Sequence, residues 1–208
     1  MLSGETISAF FIASALLAIA PGPDNIFVLT QSALHGKLSG LMVVFGLCTG
    51  LLVHTGAVAF GVAVIFQASA LAFTMLKFIG GGYLLYLAWH AFQASPEKIS
   101  MQGGQKKGGG VLFRRGIIMN VTNPKVSIFF LAFLPQFADP QRGPISLQMV
   151  VLGVIFIFAT VLVFGAVAMI GGVLGDWLNR SERAQRTMNR ITGTVFIGLA
   201  LKLATVER

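Results

Sequence analysis

Long apolar runs interrupted by short polar stretches set the pattern of this chain. No Asp, Glu, Lys or Arg occurs from Leu38 to Leu76, nor from Gly143 to Gly175, whereas a helix needs only about 20 apolar residues to cross a bilayer. Read at that length, the pattern predicts six spans at about residues 7–29, 40–66, 71–92, 116–137, 147–175 and 191–206. The last is the shortest. Its uninterrupted apolar core is residues 191–201, and Lys202 has to snorkel to an interface or face protein if that helix crosses. Five full spans plus a partial one is the alternative. The expected fold class is an all-α integral membrane protein, a single polytopic domain over residues 1–208.

The two halves resemble each other. Met42-Val43-Val44-Phe45-Gly46 recurs as Met149-Val150-Val151-Leu152-Gly153, and Ile79-Gly80-Gly81 with Leu87-Ala88 recurs as Ile191-Thr192-Gly193 with Leu199-Ala200. Pro23 and Pro124 sit at a similar offset. Three spans per copy is an odd number, so the second copy enters the membrane in the opposite sense, which predicts an inverted repeat. Repeat one is expected at about 1–93, a cytoplasmic linker at 94–113 and repeat two at 114–208.

Composition supports the membrane reading: 55% of the 208 residues are apolar and 11% are charged. The net charge of +8 does not point to nucleic acid, because no basic face or stacking platform emerges. Bases gather instead in alternate connections. Lys37 marks the first, Lys98, Lys106, Lys107, Arg114 and Arg115 the third, and Arg180, Arg183, Arg186 and Arg190 the fifth. The other side carries none in the 67–70 turn and only Arg142 between the fourth and fifth spans. The positive-inside rule therefore places both termini in the periplasm. Glu5 and the lack of a positive N-terminal region argue that the first segment is retained as a helix rather than cleaved. Cys48 is the only cysteine, which excludes an intrachain disulfide and a cysteine zinc site. The run 103–110, with five glycines, lacks the Gly-Lys-Ser/Thr ending of a phosphate loop and reads as a linker.

Two apolar spans are broken by proline. The first reads Ala20-Pro21-Gly22-Pro23-Asp24-Asn25 and the fourth Asn120-Val121-Thr122-Asn123-Pro124-Lys125. Unpaired backbone at membrane depth is tolerated only where protein or water satisfies it, and matched breaks in two halves point to a transporter's binding site. Pro21 and Pro23 free the carbonyls of Leu17 and Ile19, and Pro124 frees that of Asn120. Those oxygens suit a cation or ammonium, while each restarting half-helix presents amides that favour a carboxylate. Asp24 and Lys125 follow the aligned prolines as one acid and one base, and a lone charge at that depth is a functional candidate. Asn120 and Asn123, three apart, are expected to reach one cavity. The candidate substrate-binding set is Pro21, Gly22, Pro23, Asp24, Asn25, Asn120, Asn123, Pro124 and Lys125, with Asp24 and Lys125 also assigned to proton coupling. His54, deep in the second span, reads as a hydrogen-bonded packing residue, and Gly46 with Gly50 as close helix packing.

The Pro-Gly-Pro break, the segment Gly116-Ile117-Ile118-Met119-Asn120-Val121-Thr122-Asn123-Pro124-Lys125, the run Tyr83-Leu84-Leu85-Tyr86-Leu87 and the overall length together resemble the LysE-type amino-acid exporters, including their homoserine/threonine (RhtB-like) branch. The resemblance covers essentially the whole chain. It implies efflux of an amino acid across the bacterial inner membrane, driven by protons, with no cofactor and with a homo-oligomer left open. The alternatives are a metal-ion or other small-solute exporter and an intramembrane enzyme. No span carries Asp, Glu, His or Cys clustered at metal-ligand spacing, and an enzyme would need a pair such as Ser127 with His54, around which no catalytic motif is found.

Overall fold

A computed structural model of the chain describes residues 2–62, 70–96, 105 and 107–205. Gly103, Gly104 and Lys106 of the glycine-rich run, together with Lys98 and residues 67–69, lie outside the described residues. Among the described residues the chain is helical throughout, with no strand. Helix α1 covers Gly4–Ile19, with Ser3 as its cap accepting from the Thr6 amide at 3.2 Å. Helix α2 covers Pro23–His35, and α3 covers Lys37–Ala57 before a wider π turn over Val58–Val62. Then come α4 (Ala70–Gln93) and α5 (Gly109–Val121). Helix α6 (Pro124–Ile128) continues through a π turn at Phe129–Phe133 and a tightened turn at Leu134–Phe137. Helices α7 (Ile145–Arg180) and α8 (Glu182–Thr205) complete the chain.

Connections are tighter than the charge pattern suggests. Gly36 alone joins α2 to α3, at φ 86, a backbone conformation that glycine adopts without steric cost. Ser181 alone joins α7 to α8. Arg114 and Arg115 lie on α5, and Arg183, Arg186 and Arg190 on α8; the helices start earlier than apolarity indicates because a basic first or last turn is compatible with helix propensity. The Arg115 guanidinium lies over the Phe27 ring, 4.5 Å from its centroid.

Among the described residues two helices, Lys37–Gly61 and Ile145–Leu178, are each long and apolar enough to cross a bilayer. Counting each proline-broken pair as one bent span raises the number to four: α1 with α2 bends by 64°, and α5 with the α6 segment by 50°. Helices α4 and α8, 24 residues each, pack on each other. Helices α1 and α2 pack on α7, while α5 packs on α3. Each broken helix of one half therefore leans on an unbroken helix of the other.

Glycine makes the tightest of these crossings. A Cβ on Gly116 would sit 3.0 Å from the Gly46 Cα, and one on Gly50 would sit 2.7 Å from the Asn120 Cβ, so small residues let α3 and α5 touch backbone to backbone. Two apolar clusters fill the interior. One is rich in phenylalanine, with Phe10, Phe129, Phe130, Phe133 and Phe156 buried together. The other joins Ala18, Val28, Val43, Leu47 and Phe164. Outward, Phe45, Leu52, Phe60, Phe158 and Val173 are exposed, a breadth of apolar surface that water-soluble monomers do not carry.

Candidate functional site

The two proline breaks meet. Because Pro21 and Pro23 carry no amide hydrogen, α1 ends at Ile19 and α2 restarts at Pro23, with Gly22 extended between them. A Cβ on Gly22 would lie 3.2 Å from the Lys125 Nζ. Glycine is there to admit the lysine from the other half. Lys125 donates to the Ala20 carbonyl at 3.0 Å and the Leu17 carbonyl at 3.4 Å. The reciprocal contact runs the other way, with Asn123 Nδ2 donating to Asp24 Oδ2 at 2.8 Å. Asn123 also caps α6, its Oδ1 accepting from the Lys125 amide at 3.0 Å.

Side chains meet several of the carbonyls beside the breaks. The carbonyl of Leu17, freed by Pro21, is held by Lys125 rather than left open to a substrate cation. Asn25 Nδ2 donates to the Ala18 carbonyl at 2.7 Å. The carbonyl of Asn120, which Pro124 cannot serve, accepts from the Asn123 amide at 3.0 Å and lies 3.1 Å from His54 Nε2, and the His54 ring sits 5.6 Å from that of Phe130. Ser127 donates to the Asn123 carbonyl at 3.1 Å. His54 and Ser127 each serve a backbone carbonyl and not one another.

Asp24, Asn120 and Asn123 are all buried. Asp24 and Lys125 form no direct ion pair; among the described residues such pairs join Arg142 to Asp139 and Arg186 to Glu182, both at the surface. Two spaces open on the breaks. A small chamber of about 20 Å³ is bounded by Asp24, Asn120, Lys125 and Thr160 among apolar walls. A larger vestibule of about 320 Å³ touches Pro21, Gly22, Pro23, Asn123, Pro124 and Lys125 and extends past Tyr83 and His90. Lys125 borders both. The two asparagines separate, Asn120 facing the chamber and Asn123 the vestibule. Their three-residue spacing has no helical meaning across the break, because α5 stops at Val121.

Sequence reasoning did not single out Thr160. It lies in α7, in a charge-free apolar run that also holds Ser146, and nothing in its neighbours separates it from a packing threonine.

This geometry defines a class: a polytopic helical membrane protein whose two broken helices join an acid and a base at a buried centre. Residues 15–207 match the family described as LysE type translocator, and the chain belongs to that family. It is 32% identical over 199 residues to a homoserine/homoserine lactone efflux protein of Salmonella typhimurium, covering 96% of each chain. The same figures hold for a homoserine/homoserine lactone efflux protein of Salmonella typhi. A Vibrio cholerae membrane protein of uncharacterised role is 29% identical over 199 residues, again 96% of each chain. No solved structure matches the chain. The protein is a multi-pass membrane transporter and not an enzyme.

Proposed function

We propose that this translocator exports an amino acid or a close derivative across the bacterial inner membrane, coupled to proton entry. The observation that carries the reading is the reciprocal stitching of the breaks: Lys125 to the carbonyls beside Pro21, and Asn123 beside Pro124 to Asp24. An α-amino acid brings one cation and one anion. Asp24 offers the first a partner and Lys125 the second, and a vestibule of about 320 Å³ beside Lys125 is of ligand-pocket size. The names of the two Salmonella relatives make homoserine and its lactone the first substrates to test. Asp24 takes up a proton as the substrate leaves, which keeps a buried carboxylate from standing unpaired.

The six-span inverted repeat is part of this proposal. It is supported by the crossed packing, in which α1 and α2 lean on α7, α5 leans on α3, and α4 pairs with α8. Both termini then lie in the periplasm and the 94–113 connection in the cytoplasm. The vestibule, reaching Ala94 and Asn189, opens to the cytoplasm as an exporter's loading side should. Reporter fusions are expected to report a periplasmic carboxyl terminus and a cytoplasmic middle connection. A cytoplasmic carboxyl terminus with the middle connection still inside would mean that α8 does not span.

Whole-cell efflux tests the function. Cells overproducing the protein and loaded with homoserine, threonine, lysine or a divalent metal are expected to lose an amino acid at least about tenfold faster than control cells. Accelerated loss of a metal alone, with every amino acid retained, would overturn the reading.

A further inference from the structure

Thr160 breaks the habit of the other buried hydroxyls. Ser14, Ser32, Ser39, Thr55 and Thr192 each donate to the carbonyl four residues back, the ordinary fate of Ser and Thr in an apolar helix. Thr160, 3% exposed, makes no such bond, and its Oγ1 has no partner within the protein. Two more oxygens share that condition beside the same chamber: Asp24 Oδ1 and Asn120 Oδ1. Buried polar atoms without partners are rare in a folded protein, and three around one small space are a ligand's signature.

The size and chemistry of the chamber restrict that ligand. A volume of about 20 Å³ admits a single water-sized group. Three oxygens from three helices, α2, α5 and α7, match the three N–H donors of a primary ammonium. The remaining walls include the rings of Phe156 and Phe164, whose faces attract an organic cation. A bare metal ion would need more oxygens than three.

We propose that the chamber seats the substrate's primary α-ammonium on Asp24 Oδ1, Asn120 Oδ1 and Thr160 Oγ1, with Thr160 as the residue that enforces an unsubstituted amine. The proposal rests on the amino-acid reading above and deepens it. The carbonyls of Leu17 and Ala20 are taken by Lys125, so the ammonium has to be met elsewhere. Lys125 borders chamber and vestibule alike. A substrate arriving from the vestibule leaves its carboxylate or ester end against Lys125 and inserts only its amine. Gly50 belongs to this seat, since any Cβ there would lie 2.8 Å from Asn120 Oδ1 and would turn the amide away.

Counterflow of radiolabelled homoserine into proteoliposomes of the full-length protein tests it. In the wild type, N-acetylhomoserine and the 2-hydroxy analogue, which replaces the amine by a hydroxyl, are expected to compete at least about tenfold less well than homoserine. Equal competition would overturn the proposal without any variant having to fold. Thr160→Val, which keeps shape and removes the hydroxyl, is expected to reduce the preference for homoserine over its 2-hydroxy analogue by about tenfold, and Thr160→Ser to restore it. An unchanged preference in Thr160→Val, with counterflow intact, would sink the chamber assignment and leave amino-acid export standing. A shift in the sodium concentration for half-maximal counterflow, with amine preference unaltered, would assign the chamber to a metal cation and overturn the proposal. Absence of counterflow with homoserine, threonine and lysine in the wild type would overturn the amino-acid reading itself, and the ammonium seat with it.

Discussion

Exchanging the two charges, Asp24→Lys together with Lys125→Asp, is expected to leave export as low as either single loss does. Asp24→Asn and Lys125→Met should each lower the initial efflux rate at least about 100-fold in reconstituted vesicles. The reason lies in their partners. Asp24 faces an amide donor, Asn123 Nδ2, while Lys125 faces two carbonyl acceptors, those of Ala20 and Leu17. After exchange an ammonium would meet an N–H and a carboxylate would meet two carbonyls, so donor opposes donor and acceptor opposes acceptor. Asn123 cannot simply turn its amide over, because its Oδ1 caps the Lys125 amide. A pair that merely neutralised each other would tolerate exchange, as Coulomb attraction has no handedness. Removing either charge loses hydrogen bonds worth about 1.5–3 kcal/mol each, so membrane abundance has to be measured alongside and rates expressed per inserted molecule. Full activity in the exchanged protein would show that Asp24 and Lys125 bind only each other, and the substrate would then have to sit beside Asn120 and Thr160 alone.

What was legible beforehand follows from which interactions are local. A proline's missing amide hydrogen is a property of one residue, so both breaks could be read from Pro21, Pro23 and Pro124. A charge inside an apolar run is equally plain, and it marked Asp24 and Lys125. The partners of these groups depend on tertiary packing and left no trace in the chain. Nothing local shows that the carbonyl freed by Pro21 is taken by Lys125 across 108 positions of sequence, or that Asn120 and Asn123 part to different spaces once the helix ends between them. Thr160 is the clearest case. It becomes notable only when its Oγ1 is seen without the carbonyl that its kind usually binds. Helix ends differ from the apolar pattern for a related reason: apolarity reports membrane depth, whereas α5 and α8 extend into basic turns that water can solvate. Helix α7, at 36 residues, is about 54 Å long at 1.5 Å per residue and outruns a hydrocarbon core of about 30 Å.

Removing the prolines is expected to abolish export while sparing insertion, and to do so unequally at the two breaks. Alanine in place of proline within a continuous helix gains about 3 kcal/mol per position. Pro21→Ala with Pro23→Ala therefore favours one straight α1–α2 helix by about 6 kcal/mol, besides restoring the backbone bond to the Leu17 carbonyl. Against this stand three bonds, Lys125 to Leu17, Lys125 to Ala20 and Asn123 to Asp24, each of a kind worth about 1.5–3 kcal/mol. With the backbone bonds to Leu17 and Ile19 regained, about 1 kcal/mol each, the balance leans toward straightening, which would erase the 64° bend, expel Lys125 from its carbonyls and carry Asp24 off Asn123. Pro124→Ala gains only about 3 kcal/mol, set against the Asn123 cap, a contact of about 1 kcal/mol, and the bond from Asn123 to Asp24. Its equilibrium should stay divided between bent and straight. The expected outcome is an efflux rate reduced at least about 100-fold in the double variant and about three- to tenfold in Pro124→Ala, at near-normal membrane abundance, since an unbroken apolar helix inserts at least as well. Undiminished export from both would mean that neither bend is needed to keep the chamber and vestibule apart, and the site would have to be sought away from the breaks.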